Sequence, residues 1–320
     1  MANLLGIDIA EDSVRVALLR TGYRSIAIAA LEELPIASYP TLADAVRAVV
    51  APLLSRGDSI ATLLPGDKLF VRRVDLPPTA MRQLAEVLPF ELEAQLPFDL
   101  EEAVFDSRLL PREGPKAPVS VLACVARLDQ VRGRIETLQQ ALNVEPERVD
   151  ASSFALANLV VLIPELVVPG PIMIVHLDGA TTDVAVLRNG KVEYVRTVTG
   201  GTEGLPMSAK PLARELRQSL LAWRSQGGAA PELVYLTGPG STFQGAEAYL
   251  SSELGVQVTG LPAPRMEGLT PELQQKLPRY TRAVALALGL TRAPGSVNLR
   301  QGPLTYERGF GFLQEKVPLL

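Results

Sequence analysis

One ordered run of elements occurs twice in this chain, and that recurrence constrains the fold more than any other feature. Leu4–Ile9 is a short apolar run, and Ser13–Leu19 alternates, with Val14, Val16 and Leu18 on one face. Ala27–Leu34 follows a turn at Thr21-Gly22. Thr41–Leu54 has helical spacing through Leu42, Val46, Val49, Val50 and Leu53, with Thr41 placed to cap it. Ser59–Leu64 then returns as a buried strand. At Ile172–Leu177 the pattern starts again. Thr182–Leu187 and Val192–Val198 form a hairpin over Asn189-Gly190, a dipeptide that favours tight two-residue turns. Helix Pro211–Arg224, strand Leu233–Leu236, helix Phe243–Leu254 and strand Val256–Gly260 follow. The repetition predicts two similar α/β halves derived from an internal duplication.

The segment between the halves has a different texture. Leu69–Asp75 reads as a strand, and Thr79–Gln95 as a helix entered after Pro77-Pro78, with a kink or break at Pro89. Glu101–Leu110 and Val119–Ala126 read as strands around the loop Pro111–Pro118. Leu128–Leu142 is an amphipathic helix, and Val144–Val149 a last strand. This βαββαβ unit predicts a subdomain inserted at 69–150. The first half then comprises 1–68 and 151–170, the second 171–300, and a tail 301–320. Ser152–Ile163 is apolar and helix-like, and Thr281–Leu290 is so apolar that it belongs inside. In the tail, Tyr306, Phe310, Leu313 and Val317 share helical spacing.

Composition removes several function classes. The net charge is −4 and no Lys/Arg-rich run exists, so nothing calls for nucleic acid. Cys124 is the only cysteine and His176 the only histidine. A His/Cys metal site is therefore out of reach. Cys124 lies in the apolar run Val119–Ala126 and is expected to be buried, as in a reducing compartment. His176 is expected to be a strand residue with a satisfied hydrogen bond. The N-terminus lacks the basic start and apolar core of a signal peptide. No stretch approaches the roughly 20 apolar residues that span a bilayer. Trp223, beside Leu216 and Leu220, is expected in the core or as an interface anchor. The acidic string Glu91–Glu102 is expected to be a solvated helix end and loop, or a docking surface.

Three loops could hold an anion, because small residues expose backbone N–H groups. They are Gly6–Ser13, containing Asp8; His176–Asp183, containing Asp178, Gly179, Thr181 and Thr182; and Leu236–Ser241, containing Gly238, Gly240 and Ser241. Each is weak alone. In this order and spacing, over nearly the whole chain, they resemble the actin-like ATPase superfamily in its FtsA/PilM/GspL branch. The resemblance implies two actin-like, ribonuclease H-like halves around an interdomain cleft, with an inserted α+β subdomain. The first two loops look like the family's phosphate loops and the third like its adenosine loop. Helices Ser152–Ile163 and Thr281–Leu290 look like the connectors between the halves. The segment Leu84–Phe105 is especially similar to PilM and GspL.

Departures from the family pattern then bear on chemistry. Ala10 replaces a glycine that lets backbone approach phosphate, and Glu11 replaces a hydroxyl residue. His176 stands where a magnesium-orienting aspartate is expected, and imidazole is a poor ligand for magnesium. The resemblance therefore implies a degenerate nucleotide site, with Asp8, Ser13, Asp178, Gly179, Thr181, Thr182, Gly238, Gly240 and Ser241 as what is left of it. Asp8 reads as a turn-capping carboxylate. No catalytic residue and no metal site are expected, ATP and magnesium being at most weak ligands. Among the branch members this pattern is most similar to GspL-like proteins. They would act as scaffolds on the cytoplasmic face of the bacterial inner membrane, recruiting the secretion ATPase GspE and coupling it to GspM in the type II secretion platform. A homodimer and a membrane helix after Leu320 belong to the same expectation. The alternative is a PilM-like, ATP-binding component of type IV pilus assembly that binds the cytoplasmic tail of PilN. A kinase of the superfamily is a third, weaker match.

Overall fold

The structure is a computed structural model and describes residues 2–23, 25–112, 114–291 and 295–307. The first half opens with β1 (Ala2–Ile9), β2 (Ser13–Thr21), β3 (Ile26–Pro35), α1 (Leu42–Val50) and β4 (Ser59–Leu64). Then come β5 (Leu69–Leu76), α2 (Leu84–Glu93), β6 (Ala103–Leu109), β7 (Val119–Arg127), α3 (Leu128–Leu142), β8 (Arg148–Ala151) and the short α4 (Ser152–Ala155). The second half has β9 (Ile172–Leu177), β10 (Thr181–Arg188), β11 (Lys191–Thr199), α5 (Ala209–Ser225), β12 (Leu233–Thr237), α6 (Ala246–Leu254), β13 (Val258–Gly260) and α7 (Pro271–Gly289).

Two five-stranded sheets share one wiring, β3-β2-β1-β4-β8 and β11-β10-β9-β12-β13. In each, the first strand pairs antiparallel with the second and parallel with the strand that follows the helix. This is the duplication that the sequence predicts. Local chemistry sets the joints. Asn189 and Gly190 turn the β10–β11 hairpin with φ of 51° and 71°, the left-handed pair that a tight hairpin needs. The Thr41 hydroxyl accepts from the Asp44 N–H at 3.1 Å and starts α1. Asn143, at φ 57°, closes α3. Pro89 sits inside α2 without ending it, the preceding residues Pro78–Gln83 forming 3-10 turns.

The inserted subdomain is smaller than the expected 69–150. Only β5, α2, β6 and β7 form it, with strand order β5-β7-β6. It has its own core around Val74, Leu88, Leu92, Val121 and Val125. Strand β8 instead joins β4 in parallel, from Ala61↔Arg148 to Leu64↔Ala151. Helix α3 drives Leu138, Ala141 and Leu142 into one cluster with Val46 and Val49 of α1. Four residues are too few to show a period, and the open edge of β4 is visible only in three dimensions. Cys124 is buried on β7, and burial raises its thiol pKa.

Helix α7 ties the halves together. It is capped by the Thr270 hydroxyl, which accepts from the Leu273 N–H at 3.3 Å. Every residue from Tyr280 to Gly289 is buried, and the helix packs on β1, β2 and β4. The range 171–300 is therefore not wholly a second half. After α7 the chain returns to the first half, where the Leu299 N–H donates to Val149 O at 2.8 Å. Burying each leucine of α7 is worth about 1.5–3 kcal/mol. The helix can approach β1 only because position 6 is glycine: a Cβ there would lie 1.8 Å from Ala283 O. Tyr306 stacks under the Arg300 guanidinium, 5.1 Å from ring centroid to Cζ. Phe310, Leu313 and Val317 lie outside the described residues. Among the described residues no helix is long and apolar enough to cross a membrane.

Candidate functional site

The C-terminal end of β1, the turn after β9, the inner face of β10 and the buried turn of α7 converge at the cleft between the two sheets. They bring Asp8, Asp178, Asp183 and Arg282 into contact. The Arg282 guanidinium spans all three carboxylates. Its Nε donates to Asp8 Oδ2 at 3.1 Å, and its Nη1 to Asp183 Oδ2 at 3.2 Å. Its Nη2 lies 3.0 Å from Asp8 Oδ1 and donates to Asp178 Oδ2. A second arginine completes the cluster from β2. Arg15 Nη1 donates to Asp178 Oδ1 at 3.1 Å, and its Nε to Glu33 Oε1 at 2.8 Å. Glu33 is gripped from its other side by Arg279 of α7, at 2.9 Å and 3.1 Å. Asp183 also accepts from the Ser152 hydroxyl at 3.0 Å and the Thr197 hydroxyl at 2.6 Å.

Every member of this cluster except Glu33, Arg279 and Thr197 is buried. A charge removed from water survives only when paired. The ionisation of each group follows from its neighbours. Burial works against the charge of Asp178, yet Arg282 and Arg15 hold its pKa well below the usual carboxylate range. Burial also works against Arg282, and Asp8, Asp178 and Asp183 overcome it, so the guanidinium stays charged. At Asp183 burial wins over Arg282 and raises the pKa. Burial, then repulsion from Arg282, drives the His176 pKa well below its ordinary value, so this imidazole is neutral.

Sequence-derived candidates divide between two places. Asp178, Gly179 and Thr181 line a cleft of about 390 Å³ together with Ala10, Glu11, Asp12, Asp67, Glu203, Arg134 and Arg282. Asp8 lies just beneath it, next to Arg282. Gly240 lines a different, apolar groove of about 600 Å³ beside Leu177, Phe243 and Tyr249. Gly238 and Gly240 are needed for packing, since a Cβ on either would fall within 2.6 Å of Leu177. The Ser241 hydroxyl donates to Gly238 O, the Thr182 hydroxyl to Gly200 O, and the Ser13 hydroxyl to Asp12. Ser13, Thr182 and Ser241 thus spend their hydroxyl protons inside the protein.

Two expectations change, and for Trp223 the structure selects one of the two alternatives. Asp8 is not a turn cap, because its carboxylate is held by Arg282. His176 is buried in β9, but neither ring nitrogen has a hydrogen-bond partner among the described residues. Trp223 is a core residue whose indole N–H donates to Ala229 O at 2.7 Å. Sequence reasoning does not single out Arg15, Arg134 or Arg282. The signal for Arg282 was present: a lone charge within an otherwise apolar, buried helix demands a buried partner.

Donor atoms of Asp8, His176 and Asp178 lie within 4.8 Å of one another, a spacing that could suit a metal ion. The electrostatics argue otherwise. Both carboxylates already share Arg282, and a divalent cation would sit against two guanidiniums. The cleft above is lined by more acidic than basic side chains. Glu11, Asp12, Asp67, Asp178 and Glu203 line it against Arg134 and Arg282.

The sequence model of the type IV pilus assembly protein PilM family matches residues 6–208, well over half of the chain. The chain belongs to the PilM family. A search of curated proteins finds no match. Among solved structures, the chain is similar to a PilM–PilN type IV pilus biogenesis complex. There the TM-score is 0.73 at 23% identity, covering 89% of this chain and 97% of that one. It is also similar to the cytoplasmic domain of EpsL, an inner-membrane component of the type II secretion system of Vibrio cholerae. The TM-score is 0.52 at 15% identity, covering 95% and 100%. The ethanolamine utilization protein EutJ from Carboxydothermus hydrogenoformans matches with a TM-score of 0.50 at 13% identity, covering 90% of each chain. This PilM-family chain therefore has the actin-like fold of the FtsA/PilM/GspL branch, two related halves around a cleft.

Proposed function

We propose that this PilM-family chain is a docking scaffold of a pilus or secretion platform at the inner membrane, and that it works without nucleotide turnover. The observation that carries the reading is Arg282. The three carboxylates at the base of the cleft, Asp8, Asp178 and Asp183, are held by a side chain of the protein itself. An actin-like body whose cleft carboxylates are held by its own arginine has its outer surface left for function. Family membership supports the pilus assignment, with the cytoplasmic tail of a PilN-type membrane protein as partner. The degenerate phosphate loops and the similarity to EpsL support a second reading, a GspL-type adaptor that recruits a GspE-type ATPase and GspM. Co-purification with each partner separates the two. Retention of the tail peptide alone selects the pilus reading, retention of the ATPase domain alone selects the secretion reading, and retention of neither overturns docking.

Nucleotide independence has its own test. A ligand at 100 times its Kd stabilises a protein by about 2.7 kcal/mol. That is roughly 5–10 °C in melting temperature at about 2–4 °C per kcal/mol. The wild-type chain is expected to shift by less than about 1 °C in millimolar magnesium-ATP and to release no phosphate. A shift of several degrees, or turnover abolished by Asp8→Ala, would overturn this half of the proposal.

A further inference from the structure

Helix α5 turns a stripe to solvent that its own stability does not favour. Lys210, Arg214, Arg217, Leu221 and Arg224 recur at steps of four, three, four and three residues, so they lie along one line of the helix. All five are exposed, while Leu212, Leu216, Leu220 and Trp223 on the opposite face are buried. Lys210 sits in the first turn, where the helix dipole disfavours a cation and no acid offsets it. Lys210 and Arg214, and Arg214 and Arg217, are like charges at contact spacing, which also destabilises the helix.

Neighbouring acids leave most of this charge uncovered. The acids of α5 and α6 are Glu215, Glu247 and Glu253. Glu215 pairs with Arg196 of β11 at 3.1 Å, and Glu253 with Arg217 at 2.8 Å. The Glu247 carboxylate lies over Gly260 of β13, where a Cβ would meet it at 3.3 Å. Lys210, Arg214 and Arg224 have no ion pair among the described residues. From Lys210 to Arg224 the line runs about 21 Å, on a chain with more acids than bases. Its first residue stands on the rim of the apolar groove of about 600 Å³, which Leu205, Ala209, Phe243 and Leu250 also line. Met207 beside it is 87% exposed, Leu221 57% and Phe243 52%. Unpaired cations on a convex ridge, with large apolar side chains in water next to them, match a flat partner that is anionic at its surface and apolar within. A polynucleotide would match the cations and leave Met207 and Phe243 in water.

We infer that the α5 ridge lies directly on an anionic phospholipid bilayer, with Lys210, Arg214 and Arg224 against lipid phosphates and Met207, Leu221 and Phe243 entering the headgroup layer. The lipid charges supply the anions that the helix lacks, and the apolar side chains leave water. The contact goes beyond the docking reading and does not need it. A membrane partner would bring the chain to the bilayer, and the ridge would fix which side of the chain faces it.

Vesicle flotation of the full chain tests it. The probe is phosphatidylcholine vesicles carrying about one-third phosphatidylglycerol, with pure phosphatidylcholine vesicles as the neutral control. The wild-type chain is expected to float with the anionic vesicles alone, and to be released by added salt. Each basic residue near an anionic surface contributes a factor of about five, so Lys210→Gln/Arg214→Gln/Arg224→Gln should bind about a hundredfold more weakly. Arg214→Lys/Arg224→Lys should stay within about twofold of wild type, because a charged plane does not need the guanidinium fork that a single phosphate site uses. Met207→Ser/Phe243→Ser should lose about tenfold on vesicles and nothing on soluble polyglutamate, which reports charge alone. Melting curves check folding, and the salt titration and the lysine variant keep the test standing if the glutamine variant does not fold. The inference is overturned if neutral vesicles bind equally well, or if the glutamine variant keeps its affinity. It is also overturned if polyglutamate or duplex DNA, at equal charge, binds the wild-type chain as tightly as the anionic vesicles do.

Discussion

Replacing Arg282 with alanine is expected to lower stability by about 3–5 kcal/mol, the usual cost of removing one partner from a buried ion pair. At about 2–4 °C per kcal/mol, the melting temperature should fall by roughly 6–20 °C. The loss arises from what remains, since Asp8 and Asp183 are fully buried and Asp178 nearly so. The pH dependence separates this cause from simple loss of packing. In the wild type, Asp178 has its pKa held below the unfolded value. Its contribution is present above about pH 4 and is lost as pH falls toward the folded pKa. In Arg282→Ala the uncompensated carboxylates are expected to have raised folded pKa values. The variant therefore gains relative stability on acidification, as protons neutralise them. The gap between the two melting curves should be widest near pH 7 and should narrow toward pH 4. A gap independent of pH would show that Arg282 acts by volume alone. Adding Asp8→Asn and Asp183→Asn should recover part of the loss at neutral pH.

Gly6→Ala should be the second large loss. One methyl group is added, yet its site is already taken: the Cβ would lie 1.8 Å from Ala283 O and 2.6 Å from Ala287 N. Both contacts are backbone of α7, so no rotamer change relieves them. Either the helix lifts from β1 or the strand bends, and overpacking of this kind costs about 1–3 kcal/mol, occasionally more. Because α7 also carries Arg282, lifting it stretches the ion-pair cluster, which places the expected loss at about 3 kcal/mol or above. Urea unfolding reads this as a lower midpoint at unchanged slope. A loss below about 1 kcal/mol would show that the helix and sheet can slide apart freely.

Much of the architecture was legible because the chain announces its periods. The Asn189-Gly190 turn, the helix Leu128–Leu142 and the repeated strand order are all found where pattern reasoning places them. The misplaced insertion boundary has a topological cause, since β8 belongs with the first sheet through a parallel neighbour far away in sequence. The candidate site was half legible. Asp8, Asp178, Gly179 and Thr181 could be found from turn chemistry, and the structure brings them together at the interdomain cleft. Arg15 could not. The alternation of Val14, Val16 and Leu18 suggests that Arg15 faces water, but β2 is covered on both faces because α7 lies on the other one. A central strand with two buried sides hides its polar residue from any test based on alternation.

The counter-charge that joins the two sheets is part of the polypeptide. A soluble ligand leaves its cleft at a rate and returns at a concentration, so a cell can tune how long the jaws stay shut. A guanidinium anchored on α7 has no bulk concentration and no off-rate apart from local unfolding. Under the proposed function the angle between the halves would be set once, when the chain folds, and become a fixed dimension of whatever assembly the protein enters. On the same reading, fuel levels and depletion, which time the movements of hinged machines, would have no lever at this joint.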